Sequence, residues 1–316
     1  MRSIGFLVIA AVFILPTAAS SGPAVVNGPL LAPGDTWTYG TNTSLATGLA
    51  LDGHVTLAVA AHNSSEVEGR TYDAYVMSVS GSGSATGTFA TQFGSLQASG
   101  EWTVSGREIL DAHGLKILSS VIDLEANGTL HTSTIPLPFV FSVQNTTSYR
   151  LDGDPWQFPL TVGATASLAS RMNFSEDFRL VYYGVSPNPT HVAGLAWSNM
   201  TYDVQAAVGI DTSAGHFEAY PIRETFADGS FTVSFFAPVA GNHARTEAHN
   251  GTSTVGTADL VSYRYQALEP PTFLGLTTDR WALAAIGSAA VGTVLVWWYR
   301  RRKRPAALPR PPETGP

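Results

Sequence analysis

Hydrophobic and polar residues alternate along most of this chain. In His54 to Ala60, Val55, Leu57 and Val59 fall on one face and small or polar residues on the other. Phe231-Thr232-Val233-Ser234-Phe235 and Val261 to Gln266 alternate in the same way, and Phe139, Phe141 and Val143 alternate with Val140, Ser142 and Gln144. Turn signals separate these runs: Asp52-Gly53, Asp152-Gly153-Asp154-Pro155, Asp228-Gly229 and Asn250-Gly251. Between the two ends no stretch sustains an apolar face at helical spacing. The pattern predicts an all-β, antiparallel fold with one wetted sheet face.

The order of segments also repeats weakly. Pro29 to Thr36 is matched by Pro159 to Thr165, and His54 to Ala60 by Met200 to Val208. Tyr72-Asp73-Ala74-Tyr75 is matched by Phe217-Glu218-Ala219-Tyr220, then Thr103-Val104-Ser105 by Thr232-Val233-Ser234, then Gly114 by Gly241. Two duplicated curved-sheet or sandwich-like domains are therefore expected, over residues 21–150 and 151–268. The first copy is longer because of the Gly/Ser/Thr-rich stretch Ser80 to Gly100. That stretch is either a long hairpin protruding from the sheet or a flexible loop. Its Gly81 to Gly87 run is not a phosphate loop, since no Lys-Ser/Thr follows it.

The two ends break the pattern. Arg2, the apolar run Ile4 to Leu15, Pro16 and the small residues after it read as a signal peptide over residues 1–20. Trp281 to Tyr299 carries no charge and is 19 residues long, so as a helix it spans roughly 28 Å. Trp281 marks one edge and Trp297, Trp298 and Tyr299 the other, as interfacial aromatics do. A C-terminal transmembrane α-helix is expected over 281–299, with a Pro-containing stalk at 269–280 before it. Arg300-Arg301-Arg302-Lys303-Arg304 opens a Pro-rich tail (300–316) and sets it on the cytoplasmic side. These features predict a single-pass plasma-membrane protein with its N-terminal bulk outside. Ala284, Ser288 and Gly292 repeat at four-residue spacing and form a candidate face for weak homodimerisation.

Charge takes on meaning once the ends are placed. The net charge of −7 divides into an ectodomain with ten basic and 23 acidic residues, a tail near +5, and Arg2. The basic patch is thus a topology signal and a contact for anionic lipid, and nucleic acid is not an expected partner. The chain has no cysteine, which excludes a disulfide scaffold, thiol catalysis and Cys-ligated metal. Seven of its ten asparagines stand in N-x-S/T sequons: Asn42, Asn63, Asn127, Asn145, Asn173, Asn199 and Asn250. Sequons without cysteine suit an archaeal cell exterior better than a eukaryotic one.

Candidate chemistry is sparse. There is no G-x-S-x-G, H-E-x-x-H, Walker or EF-hand motif. His243, Arg245, Glu247 and His249 alternate, and on a strand they would share one face. His243, Glu247 and His249 are then a weak candidate set for zinc or copper, against the plainer reading of a solvated outer strand. Carboxylates pair at Asp123/Glu125, Asp152/Asp154 and Glu176/Asp177; turn chemistry suffices for the Asp152/Asp154 pair. Trp37, Trp102, Trp156 and Trp197 read chiefly as core anchors, or as the lining of an apolar or glycan site if several share a concave face. No cofactor and no catalytic residue is expected.

Three segments carry an outline resemblance: Gly34 to Tyr39 (Gly-Asp-Thr-Trp-Thr-Tyr), Gly215 to Tyr220, and Phe235 to Gly241. Together they resemble a broad group of extracytoplasmic β-rich domains of unknown function, similar in outline to the bacterial lipoprotein-carrier half-barrels. The resemblance implies a strongly curved antiparallel sheet whose concave face holds an acyl chain, and it brings no catalytic residue with it. The leading expectation is a surface glycoprotein with a non-enzymatic binding or structural ectodomain, whose partner is an apolar ligand or another surface protein. The alternatives are a membrane-anchored carrier or sensor of lipid-like ligands and an extracellular hydrolase.

Overall fold

The computed structural model describes residues 24–45, 48–91, 94–132, 135–150, 158–182 and 190–266. Among them are fifteen strands and no helix. The strands are β1 (Val25–Val26), β2 (Thr36–Ser44), β3 (Leu49–Val67), β4 (Arg70–Thr91), β5 (Gly94–Asp111), β6 (Ile117–His131), β7 (Leu137–Arg150) and β8 (Leu160–Thr161). There follow β9 (Thr165–Tyr182), β10 (Thr190–Val204), β11 (Val208–Thr212), β12 (Gly215–Phe226), β13 (Phe231–Ala237), β14 (Asn242–Asn250) and β15 (Ser253–Arg264). The all-β expectation holds. The proposed signal peptide, stalk, transmembrane helix with Ala284, Ser288 and Gly292, and tail lie outside the described residues.

Twelve strands close into one antiparallel barrel in the order β10-β9-β7-β6-β5-β4-β3-β2-β15-β14-β13-β12. The ring closes where β10 meets β12, from Met200↔Phe226 to Val204↔Ile222. β11 follows β10 along the same edge of β12, from Val208↔Ala219 to Thr212↔Gly215. The expected division into two domains at residue 150 is corrected. β7 pairs with β9 from Phe139↔Tyr182 to Arg150↔Arg171, and β2 pairs with β15, so the ladder runs through the proposed boundary. All the strands belong to one compact unit that ends at Tyr265. Alternation identifies a strand but not its partner, which is why two domains and one barrel share the same local pattern.

The wall is apolar inside and polar outside. On β4 the inner face carries Met77, Val79, Ala85 and Phe89, all buried, while Ser78, Ser80, Ser82, Ser84 and Thr86 face out. The outer face of β4 is thus a row of hydroxyls open to solvent. The Ser80–Gly100 stretch is a hairpin, as one of the two readings held. It does not protrude, because β3 and β6 flank it as part of the wall. Its glycines point inward. Gly100 faces Gly128, where a Cβ would stand 2.0 Å from the Asn127 carbonyl oxygen. Only glycine permits that approach, and it lets the wall bend sharply.

Large side chains fill the interior. Near the hairpin ends Trp102, Phe89, Phe139, Phe141 and Leu130 form one cluster. At the other end Trp37, Tyr39, Met77, Phe217 and Leu260 form a second. Each such side chain contributes about 2–3 kcal/mol on burial. The three segments of the outline resemblance meet in this second cluster, where the Trp37 indole donates to the Ala240 carbonyl at 2.7 Å. Their shared residues therefore build core. A short ribbon stoppers the barrel: β1 pairs with β8, and Val26 and Leu160 pack against Leu168, Tyr202, Val204, Ile222 and Phe236 of the inner wall.

Candidate functional site

A barrel of about eight strands is just filled by its own side chains. Twelve strands enclose more room, and the ribbon takes only part of it. A cavity of about 280 Å³ remains in the lumen. Its apolar lining includes Leu57 on β3, Met77 on β4, Leu110 on β5, Ile117 on β6, Phe236 on β13, and Phe158 just before β8. Ile117 keeps 38% of its surface exposed and marks where the cavity meets solvent.

Polar groups converge on this apolar space. Glu108, Glu224, Ser234, Asn242 and His243 share the lining. Glu108 follows Trp102 and Val104 in the inward phase of β5. Burial pushes its carboxyl above the usual range, and a long hydrogen bond from Ser120 Oγ at 3.4 Å offsets this in part. The Tyr149 hydroxyl is also raised, first by burial and then by the Glu108 charge, with a Thr147 hydrogen bond opposing. Burial holds the His243 imidazole down to about 4, so it is neutral at pH 7.

His243 reaches the lumen through a bulge. Phe235 pairs with Arg245, but Phe236 pairs with His243, so Ala244 is an extra residue on β14. The insertion turns His243 to the face of Phe236, opposite to Arg245 and Glu247. The expected single face of four residues is thereby corrected. Arg245 pairs with Asp259 at 2.5 Å, while His249 stacks on Phe231 and meets Glu247 at 3.4 Å. His243 does not join Glu247 and His249. Among the described residues no three His, Cys, Asp or Glu groups are arranged to hold a metal.

The other candidates scatter. Asp123, Glu125 and Asp177 lie along an outer groove of about 520 Å³, where Gln144 donates to Asp123 at 2.7 Å and His191 lies 2.7 Å from Asp177. Glu176 points to the other face of β9, toward Asn145. Asp152, Asp154 and Trp156 lie outside the described residues. Trp37 and Trp102 are core anchors, but Trp197 stands 61% exposed on β10. Asn42, Asn63, Asn127, Asn173, Asn199 and Asn250 are exposed. Asn145 is half-buried and in phase with the inward Phe141 and Val143.

Sequence reasoning missed Glu108 and Glu224. A signal for Glu108 was there: a charge in an apolar phase, between Val104 and Leu110 at two-residue spacing. The bulge that selects His243 leaves no such mark. Compared with known proteins, the chain matches no family model, no curated protein and no solved structure. The outline resemblance to half-barrels has no match behind it, and the curved antiparallel sheet closes into a barrel.

Proposed function

We propose that this chain is a non-enzymatic, membrane-anchored surface glycoprotein whose barrel binds a small, largely apolar ligand in its lumen, as a sensor or carrier. One observation carries the reading: a cavity of about 280 Å³ with mainly hydrophobic walls and a few convergent polar side chains. That composition is typical of small-molecule sites, and the volume lies near their lower end, about 300 Å³. Exposed sequons on a hydroxyl-rich outer wall favour a glycosylated location outside the cell. The anchor is the apolar segment 281–299, with the basic tail against the inner leaflet.

Native mass spectrometry of the full chain, released gently from membranes, tests the reading. A small-molecule adduct is expected on the wild type and is lost in Leu110→Trp, which fills the cavity from β5. An adduct equally present in both, or absent from the wild type, overturns the proposal.

A further inference from the structure

The outer face of β10 carries the two most exposed large apolar side chains of the described strands, Leu195 at 70% and Trp197 at 61%. They stand two residues apart and so share a face, while Met200 and Tyr202 turn inward in the opposite phase. Two sequons frame the pair. Asn199 lies two residues beyond Trp197 on the same face, and Asn173 on β9 is the ladder partner of Leu195. Both asparagines are exposed. The strand edge beside them is bare. β12 meets β10 only from Met200 to Val204, so among the described residues the segment His191 to Asn199 has a ladder partner on the β9 side alone. Resting on the reading of the chain as a surface glycoprotein, we propose that the N-linked glycans of Asn173 and Asn199 lie over Trp197 and Leu195 and screen this open edge.

Two features point to glycan as the cover. The first is reach. Residues two apart on a strand are about 7 Å apart and ladder partners about 5 Å, so the first sugar on either asparagine starts beside the patch. A pyranose ring has an apolar C–H face that stacks on an indole while its hydroxyls stay in water, so it covers the patch without extending it. Arg171 is the ladder partner of Trp197 and brings guanidinium donors for sugar hydroxyls. The second feature is the edge itself. Sheet edges are ordinarily guarded by charges, proline or a bulge. The segment His191 to Asn199 contains no Lys, Arg, Asp, Glu or Pro, and it pairs with β9 without a register shift. Bulky, solubilising glycans at its face supply that protection and stand in the way of a second copy adding along β10.

Hydroxyl-radical footprinting, read residue by residue by mass spectrometry, tests the proposal on the full chain isolated from the membranes in which it is made. The same digests report glycan occupancy. Oxidation of Trp197 and Leu195 is expected to rise severalfold in Asn173→Gln with Asn199→Gln, while Tyr263 on β15 stays unchanged. Sedimentation velocity is expected to show a concentration-dependent dimer in that variant and none in the wild type. Ser175→Ala with Thr201→Ala removes the same two sequons but keeps both asparagines, and it replaces the first variant if that one fails to fold. Glycan present on both asparagines with Trp197 equally reactive, or equally protected, in wild type and variant overturns the covering of the patch and leaves the glycoprotein reading standing. A variant that stays monomeric overturns the screening of the edge. Glycan on other sequons but on neither Asn173 nor Asn199 overturns this proposal alone; glycan on none of the seven overturns the glycoprotein reading with it.

Discussion

Acid should destabilise this barrel through His243 by an amount that a single substitution isolates. The ring titrates near 4 in the fold against an ordinary 6.5, because burial disfavours the imidazolium. At 1.36 kcal/mol per pH unit the difference is worth up to roughly 3 kcal/mol. Between pH 6.5 and about 4 the unfolded chain binds a proton that the folded chain refuses, so folding weakens as pH falls through that window. Glu108 acts with the opposite sign. Its carboxyl is raised above 4.5 in the fold, so the folded state takes its proton first and gains stability on acidification. Because Glu108 is present in both proteins, its effect cancels in a comparison of wild type with His243→Gln. Urea midpoints by tryptophan fluorescence at pH 7, 5.5 and 4 give the stability difference between the two. That difference should move toward the variant by about 2–3 kcal/mol on going from pH 7 to pH 4. A difference that stays constant within about 0.5 kcal/mol would refute the inward, desolvated placement of His243.

Gly241 and Gly229 both adopt positive φ, at +64° and +85°, but a Cβ at Gly241 would stand 2.4 Å from the Tyr265 ring while one at Gly229 meets nothing within 4 Å. Gly229→Ala should cost about 1 kcal/mol and Gly241→Ala about 2–4 kcal/mol in chemical denaturation; equal costs would deny the close approach of Tyr265. The Tyr72 hydroxyl is a buried group without a hydrogen-bond partner, so Tyr72→Phe should leave stability unchanged or raise it by up to about 1 kcal/mol, and a lower melting temperature would contradict that burial. Glycopeptide mass spectrometry should find Asn145 the least occupied sequon, because its side chain faces inward and donates to Glu176 at 3.4 Å. Full occupancy there alongside the six exposed sites would place that stretch of β7 the other way round.

Strand identity was legible because burial writes a period of two into the residues. The alternation at His54 to Ala60 is the inner and outer face of β3, and Phe139-Phe141-Val143 is the inner face of β7. The glycine-rich hairpin was half legible. Gly81, Gly83 and Gly87 alternate with serines and threonines, but without a side chain to mark the inner face the alternation looked like low complexity. Closure was not legible. It depends on five residue pairs between β10 and β12, and pairing is a long-range property with no local code. The weak repeat suggested two domains because its matched residues, such as Ala74 and Ala219, are both buried wall positions, which any strand of the barrel supplies. The candidate metal row failed for a different reason: one inserted residue, Ala244, reverses the facing of everything before it on β14.

The burial of Glu108 gives the lumen its sharpest test. A carboxylate in an apolar cavity costs free energy that a neutral amide of the same shape largely avoids. Glu108→Gln should therefore stabilise the barrel by about 1 kcal/mol at pH 7. The stability gain should shrink on acidification, as the wild-type Glu108 carboxyl takes up its proton ahead of an ordinary carboxylate. Urea midpoints of the two proteins at neutral and acid pH read the effect. A variant that is less stable at pH 7 would mean that the Glu108 carboxylate is well solvated or held by stronger donors than Ser120.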